Sequence, residues 1–244
     1  MKKNLKLKDR LITVIDVNSQ PELMKALTAI GGRVSTVKLG LELIYSVGTG
    51  VADIARRSGY KVMLDTKLMD IPNTIKGASA AISKLKPSLI TTYALGGKKM
   101  LQASLKALKK QSEAAGNIRP LLMAVTVLTS LDDSDLAAMG FRGDYMDTVK
   151  RLVGIALDAG ADGIVCSAAE AGALRKQFGN DFYIATPGIR LAEDSAGDQK
   201  RVNTPEEAIS NGADMVIVGR SITGKKDMGA AVDIFLQKIK SSLV

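Results

Sequence analysis

The chain of 244 residues contains no histidine. It therefore has no imidazole to act as acid, base or metal ligand. Ser-His-Asp and Cys-His catalysis are excluded, and proton transfer falls to Lys, Asp, Glu, Tyr or Cys. Cys166 is the single cysteine, so no internal disulfide forms, which fits a reducing cytoplasm. It sits inside an apolar run and reads as plain core. Tryptophan is absent and aromatics are only 4%. There is no aromatic-rich basic stretch for stacking bases and no zinc-ligand spacing, so nucleic acid is not an expected partner. No apolar run approaches the roughly 18 residues of a membrane-spanning helix, so no membrane partner is expected. The start, MKKNLKLKDRLITVIDV, is basic and then apolar, like a signal peptide. Its apolar stretch is short, carries Asp16 and lacks a small-residue cleavage site, so it reads as a first strand.

What is present is a basic, apolar-rich chain. At 46% hydrophobic residues it has ample material for a core, and its formal charge of +9 favours an anionic partner such as a phosphorylated small molecule. Short β-branched runs alternate with stretches of helical spacing along the whole length. Strands are expected near 11–16, 36–40, 61–66, 88–92, 121–127, 163–167, 182–186 and 215–219. Helices are expected near 20–30, 42–58, 73–85, 98–115, 145–159, 168–178, 204–211 and 228–242. Such alternation argues for a parallel sheet with crossover helices. Eight units in this length point to an α/β fold of the (β/α)8 TIM-barrel kind, one catalytic domain over 1–244. The stretches GADGIVCS (160–167) and GADMVIVGRS (212–221) repeat a helix-end Gly, Ala-Asp and a strand. A doubly wound open sheet is the structural rival, but no GxGxxG follows the first strand.

Residues 64–74 read LDTKLMDIPNT, placing Asp65, Lys67 and Asp70 directly after the apolar KVML. Buried charges are costly unless paired, so their convergence calls for a reason. Active sites of such barrels lie at the C-terminal ends of the strands. Asp16 ends the first strand, Lys38 lies near the end of the second, and Asp65 and Lys67 end the third. Period-2 alternation turns Asp65 and Lys67 toward the barrel mouth, while Val62, Leu64 and Thr66 face the helices. The same parity groups Asp16 with Ile12 and Val14, and Lys38 with Thr36. Four charges, two of each sign, thus converge on one mouth.

Two late loops read as a phosphate site. TPGIR (186–190) follows strand seven and VGRSI (218–222) follows strand eight, where barrels frequently bind phosphate. Gly188 and Gly219 admit an anion close to the backbone, and Arg190 and Arg220 offer guanidinium forks. Between them, LAEDSAGDQKRVN (191–203) is long for such a loop and reads as a lid, with Gln199 able to bond what lies below. In VLTSLDDSDL (127–136), Thr129 and Ser130 serve equally well as ligands for a polar ring edge or as helix caps.

These stretches together resemble the orotidine 5′-phosphate decarboxylase family. DTKLMDIPNT, TPGIR, VGRSI, VTVLTS and LGGKKM carry the resemblance, which spans nearly the whole chain. The resemblance implies a cofactor-independent carboxy-lyase of de novo pyrimidine biosynthesis, cytoplasmic and homodimeric, with no metal. Lys67 would be the proton donor, flanked by Asp65 and Asp70, with Lys38 completing the array. Asp70 and Thr74 would reach the partner subunit's site. Asp16 and Thr74 would hold ribose hydroxyls, Ile71 of the Ile-Pro-x-Thr run would touch the substrate, and Thr129 and Ser130 would meet the pyrimidine. Arg190, Gln199, Gly219 and Arg220 would hold the phosphate. Three positions depart from the family's usual residues: Met69 and Tyr93 stand where histidine is common, and Thr66 where leucine is. The alternative from the same superfamily is a Mg²⁺-dependent sugar-phosphate decarboxylase, with Asp16 or Asp65 as oxygen ligands. A non-catalytic phosphate-ligand sensor is a third reading.

Overall fold

The computed structural model describes residues 5–191 and 203–243. Strands β1 (Leu11–Ile15), β2 (Thr36–Leu39), β3 (Lys61–Leu68), β4 (Leu89–Tyr93), β5 (Leu121–Val125), β6 (Gly163–Val165), β7 (Tyr183–Thr186) and β8 (Met215–Val218) pair in chain order. β8 returns to β1, and the sheet closes as a parallel barrel. The helices are α1 (Gln20–Ile30), α2 (Leu41–Val47), α3 (Val51–Arg57), α4 (Pro72–Ser83), α5 (Gly97–Ala114) and α6 (Asp133–Ala138). They continue with α7 (Tyr145–Ala159), α8 (Ala168–Phe178), α9 (Pro205–Ser210), α10 (Arg220–Thr223) and α11 (Met228–Ser241). The expected TIM barrel is present.

Alternation along the strands builds two apolar layers. Ile12, Val14, Met63, Met123, Val125 and Ile217 pack together inside the barrel. Leu11, Ile15, Val37, Leu39, Val62, Leu64 and Ile90 turn outward, against Leu23, Leu101, Leu152 and Phe235 of the helices. Each such side chain, fully buried, contributes about 1.5–3 kcal/mol. β6 carries Gly163 where a Cβ would lie 2.5 Å from the Tyr183 carbonyl and 2.7 Å from Met123 Cε. The missing side chain makes room for those two neighbours inside the barrel.

The repeated Gly-Ala-Asp has a structural cause. Gly160 (φ +93°) and Gly212 (φ +97°) take the left-handed turn after α7 and α9. The aspartate that follows then ties the next strand to its neighbour. Asp162 accepts the Leu122 N–H (2.8 Å) and two Arg119 bonds (2.8 and 2.6 Å). Asp214 accepts the Ile184 N–H (2.9 Å) and an Arg175 bond (2.6 Å). Both clamps sit at the strand starts, away from the mouth.

Three features differ from the sequence expectation. The stretch 42–58 is two helices, because Gly48 (φ +97°) and Gly50 break it and no continuous 3.6-residue ladder survives. β3 runs to Leu68, not 66, and its pairing with β4 shifts register between Leu64 and Leu68. The short helix α10 opens directly after Gly219 within VGRSI. On the outer layer, α4 packs on α5 through paired buried serines, Ser79 with Ser104 (2.8 Å) and Ser83 with Ser112 (3.3 Å).

Candidate active site

The C-terminal ends of the strands surround a cavity of about 550 Å³. Register explains how the charges meet. Val14, Lys38 and Met63 lie side by side across β1, β2 and β3, so Lys38 stands beside the strand that delivers Asp65 two residues later. Lys38 Nζ reaches Asp65 Oδ2 at 2.9 Å and Lys67 Nζ reaches the same oxygen at 2.7 Å. Asp16 approaches Lys38 Nζ at 3.8 Å from a half-exposed position. Asp65 is only 7% exposed and Lys38 only 9%. Burial alone would raise the Asp65 carboxyl. The charges and hydrogen bonds of Lys38 and Lys67 outweigh it and hold the pKa at about 2. The group is a carboxylate at any ordinary pH.

The remaining oxygen of Asp65 is also bound. Oδ1 accepts a hydrogen bond from the Thr91 hydroxyl at 2.8 Å. Tyr93, at the end of β4, is half-buried, and its phenol is shifted upward by burial and then by the Asp65 charge. Thr66, expected to face the helices, donates its hydroxyl to the Thr91 carbonyl at 3.2 Å.

The loops expected to bind an anion follow β7 and β8. Gly188 has φ +76°, a turn that favours glycine. Gly188, Arg190, Gly219 and Arg220 all line the cavity. Arg190 is 9% exposed, and its Nε is buried with no hydrogen-bond partner among the described residues. A buried guanidinium N–H without a partner is costly and fits an anion. The Arg190 N–H donates to the Asn203 carbonyl at 3.1 Å, and the Asn203 N–H to that of Gly188 at 3.2 Å. Gln199 and most of the 191–203 stretch lie outside the described residues, and with them the expected lid.

Other expected residues divide. Thr129 lines the cavity from the far arc, beyond β5. Ser130 is exposed and does not line it. Neither caps a helix: Asp132 caps α6, in a capping box with Asp135. Asp70, Ile71 and Thr74 are exposed at the start of α4, outside this cavity. Asp70 Oδ1 accepts the Ile71 N–H at 2.6 Å. Cys166 is buried and also lines the cavity, its thiol shifted well up by burial and then by Glu170. It is not a thiolate nucleophile.

Three residues were missed in the sequence. Thr91 binds Asp65. Gly40 lets β2 turn close to the charges, since a Cβ there would lie 2.8 Å from Asp16 Oδ1 and 3.1 Å from Lys38 Nζ. Ser221, beside Arg220, lines the cavity with a buried hydroxyl that has no partner among the described residues. A glycine ending a charged strand was a legible signal; the two hydroxyls had none. Among the described residues no three acidic, Cys or His side chains cluster as a cation site. Asp65 Oδ2 is occupied by two ammonium groups, which oppose a divalent ion there.

Comparison with known proteins identifies the family. Residues 9–234 match the model of the orotidine 5′-phosphate decarboxylase / HUMPS family. An orotidine 5′-phosphate decarboxylase of Rhodospirillum rubrum is 44% identical over 207 residues, 84% of each chain. One from Nitrosomonas eutropha is 39% identical over 234 residues, covering 96% of this chain and 98% of that one. The crystal structure of orotidine 5′-phosphate decarboxylase from Lactobacillus acidophilus superposes with a TM-score of 0.85 at 35% identity, covering 95% of this chain and 99% of that one. The chain therefore belongs to the orotidine 5′-phosphate decarboxylase / HUMPS family.

Proposed function

We propose that this chain decarboxylates orotidine 5′-phosphate to UMP and CO2, a step of pyrimidine biosynthesis, and that 1–244 works as one catalytic barrel. The observation that carries the reading is the Lys38–Asp65–Lys67 array lining the cavity, with one carboxylate oxygen held by two ammonium groups. Cleaving the bond from C6 to the carboxylate leaves an electron pair at C6, in the ring plane, with no adjacent π system to take it up. Fixed charge must therefore stabilise it. The Lys67 ammonium beside C6 does so, then transfers its proton to form the C6–H bond. Solvent reprotonates the amine. Asp65 pairs with that amine at 2.7 Å and orients it toward the cavity as a proton donor.

Arg190, Gly219 and Arg220 hold the phosphate in this reading, with Gln199 assigned there by resemblance. Asp16 takes ribose hydroxyls and Thr129 the pyrimidine edge; Ser130 stands farther out. Phosphate contacts far from C6 supply binding energy toward the transition state.

Asp70, Ile71 and Thr74 are useful to this chemistry only if a second copy brings them to its cavity. A homodimer is supported by the exposed apolar side chains around them, Met69 (53%), Ile71 (67%) and Leu95 (50%), with Tyr45 (83%) on α2. The cytoplasm suits a biosynthetic enzyme with one reduced cysteine, and among the described residues no helix is long and apolar enough to cross a membrane.

The test is the ultraviolet absorbance of orotidine 5′-phosphate with purified protein, with and without EDTA, beside Lys67→Ala. Metal-independent loss of substrate, abolished by the substitution, is expected. Tight UMP binding without turnover would keep the phosphate site and overturn the catalytic assignment. Activity lost to EDTA would favour the Mg²⁺-dependent sugar-phosphate alternative.

A further inference from the structure

Lys67 has φ +46°, one of two non-glycine residues with positive φ among the described residues. L side chains rarely adopt this conformation, so something must hold it. The pairing of β3 with β4 shows where the irregularity lies. Leu64 pairs with Ile90 and Leu68 with Thr92, so four steps on β3 match two on β4. Asp65, Thr66 and Lys67 fill the bulge, and Thr91 stands opposite all three. Within the bulge Lys67 Nζ lies 2.7 Å from Asp65 Oδ2.

Thr91 is 1% exposed. Its hydroxyl accepts the Lys67 backbone N–H at 2.9 Å and donates to Asp65 Oδ1 at 2.8 Å. One oxygen thus does two jobs. It satisfies an N–H that the bulge has taken out of the regular ladder, and it fixes the rotation of the carboxylate whose other oxygen holds both ammonium groups. We propose that Thr91 is a positioning residue for the decarboxylation, locking the Lys67 backbone and the Asp65 carboxylate together through a single hydroxyl. The inference rests on the functional reading above for its kinetic consequence but not for the contact itself.

Thr91→Val keeps the β-branched shape and removes only the hydroxyl function. The expected result is a fall in kcat of about ten- to a hundredfold, with KM and the affinity for UMP changed less than about threefold. Thr91→Ser, which restores the hydroxyl, should return kcat to within about fivefold of the unmodified protein. Thr126→Val is the structural control. Thr126 is also buried, with its hydroxyl on the Val165 carbonyl, so its loss should lower the melting temperature and leave kcat within about twofold. Amide hydrogen exchange at Lys67 reads the contact without turnover and should accelerate at least about tenfold in Thr91→Val but not in Thr91→Ser or Thr126→Val. Unchanged kcat in Thr91→Val, or equal losses in the Val and Ser variants, would overturn the proposal. If Thr91→Val does not fold, Thr91→Ser against Thr91→Ala decides it in the same way. If the unmodified protein does not consume orotidine 5′-phosphate, the functional reading fails, and Lys67 exchange alone then decides the positioning contact.

Discussion

The Lys67 ammonium lies 2.7 Å from Asp65 Oδ2, and the pair is held inside a bulge of the strand that carries both. The carboxylate is charged in the folded chain down to a pKa of about 2, against 3.8 for a free aspartate. The unfolded chain therefore binds a proton at higher pH than the folded one. The stabilisation from Asp65 is complete above pH 3.8 and is lost as pH falls toward 2. Urea unfolding at pH 5, 4 and 3 should show the stability difference between the unmodified protein and Asp65→Asn shifting by about 1–2 kcal/mol in favour of Asn as the pH drops. A difference independent of pH would mean that the two lysines do not act on Asp65 as the geometry indicates.

Arg220→Ala should cost about ten- to a hundredfold in kcat/KM, the worth of one charge-assisted contact of roughly 1.5–3 kcal/mol. Steady-state kinetics at fixed ionic strength measure it, and added inorganic phosphate should inhibit the variant less than the unmodified protein. A silent substitution would place the phosphate elsewhere.

Gly40→Ala should fold normally and work poorly. The added Cβ meets the end of a half-exposed side chain, Asp16, and the tip of Lys38, both of which yield more easily than backbone. The melting temperature should move by less than about 3 °C, while kcat/KM falls about fivefold or more as the Asp16 carboxylate is displaced. Full activity would show that Asp16 has room to spare.

The two aspartate clamps should differ in worth. Arg175 and Asp214 are buried, with side chains 11% and 9% exposed, whereas Arg119 and Asp162 are 31% and 18% exposed. Removing one partner of a buried pair costs about 3–5 kcal/mol, and a partly solvated pair costs less. Denaturant midpoints should therefore fall further for Asp214→Ala than for Asp162→Ala. The reverse order would assign the stability to the backbone bonds, which the two clamps share.

Much of the site was legible because strands have a period of two and barrels place chemistry at strand ends. Asp16, Lys38, Asp65 and Lys67 read as one mouth-facing set from spacing alone, and the structure brings them to one cavity. The glycine-arginine pairs after the last two strands line the same cavity. The break at Gly48–Gly50 was also written in the sequence, but helical spacing of apolar residues on both sides concealed it.

Other features depended on which residues stand across from each other. The bulge at Lys67, and the Thr91 hydroxyl that bridges it, arise from the β3–β4 register, between residues 24–26 positions apart. No local pattern in either strand states that register. The approach of Gly40 to Asp16, across neighbouring strands, is of the same kind. Side-chain periodicity determined which residues face the mouth, because it is a property of each strand alone. Tertiary structure decided how close they come and which hydroxyl holds them, because hydrogen bonds between strands are fixed only once the barrel closes.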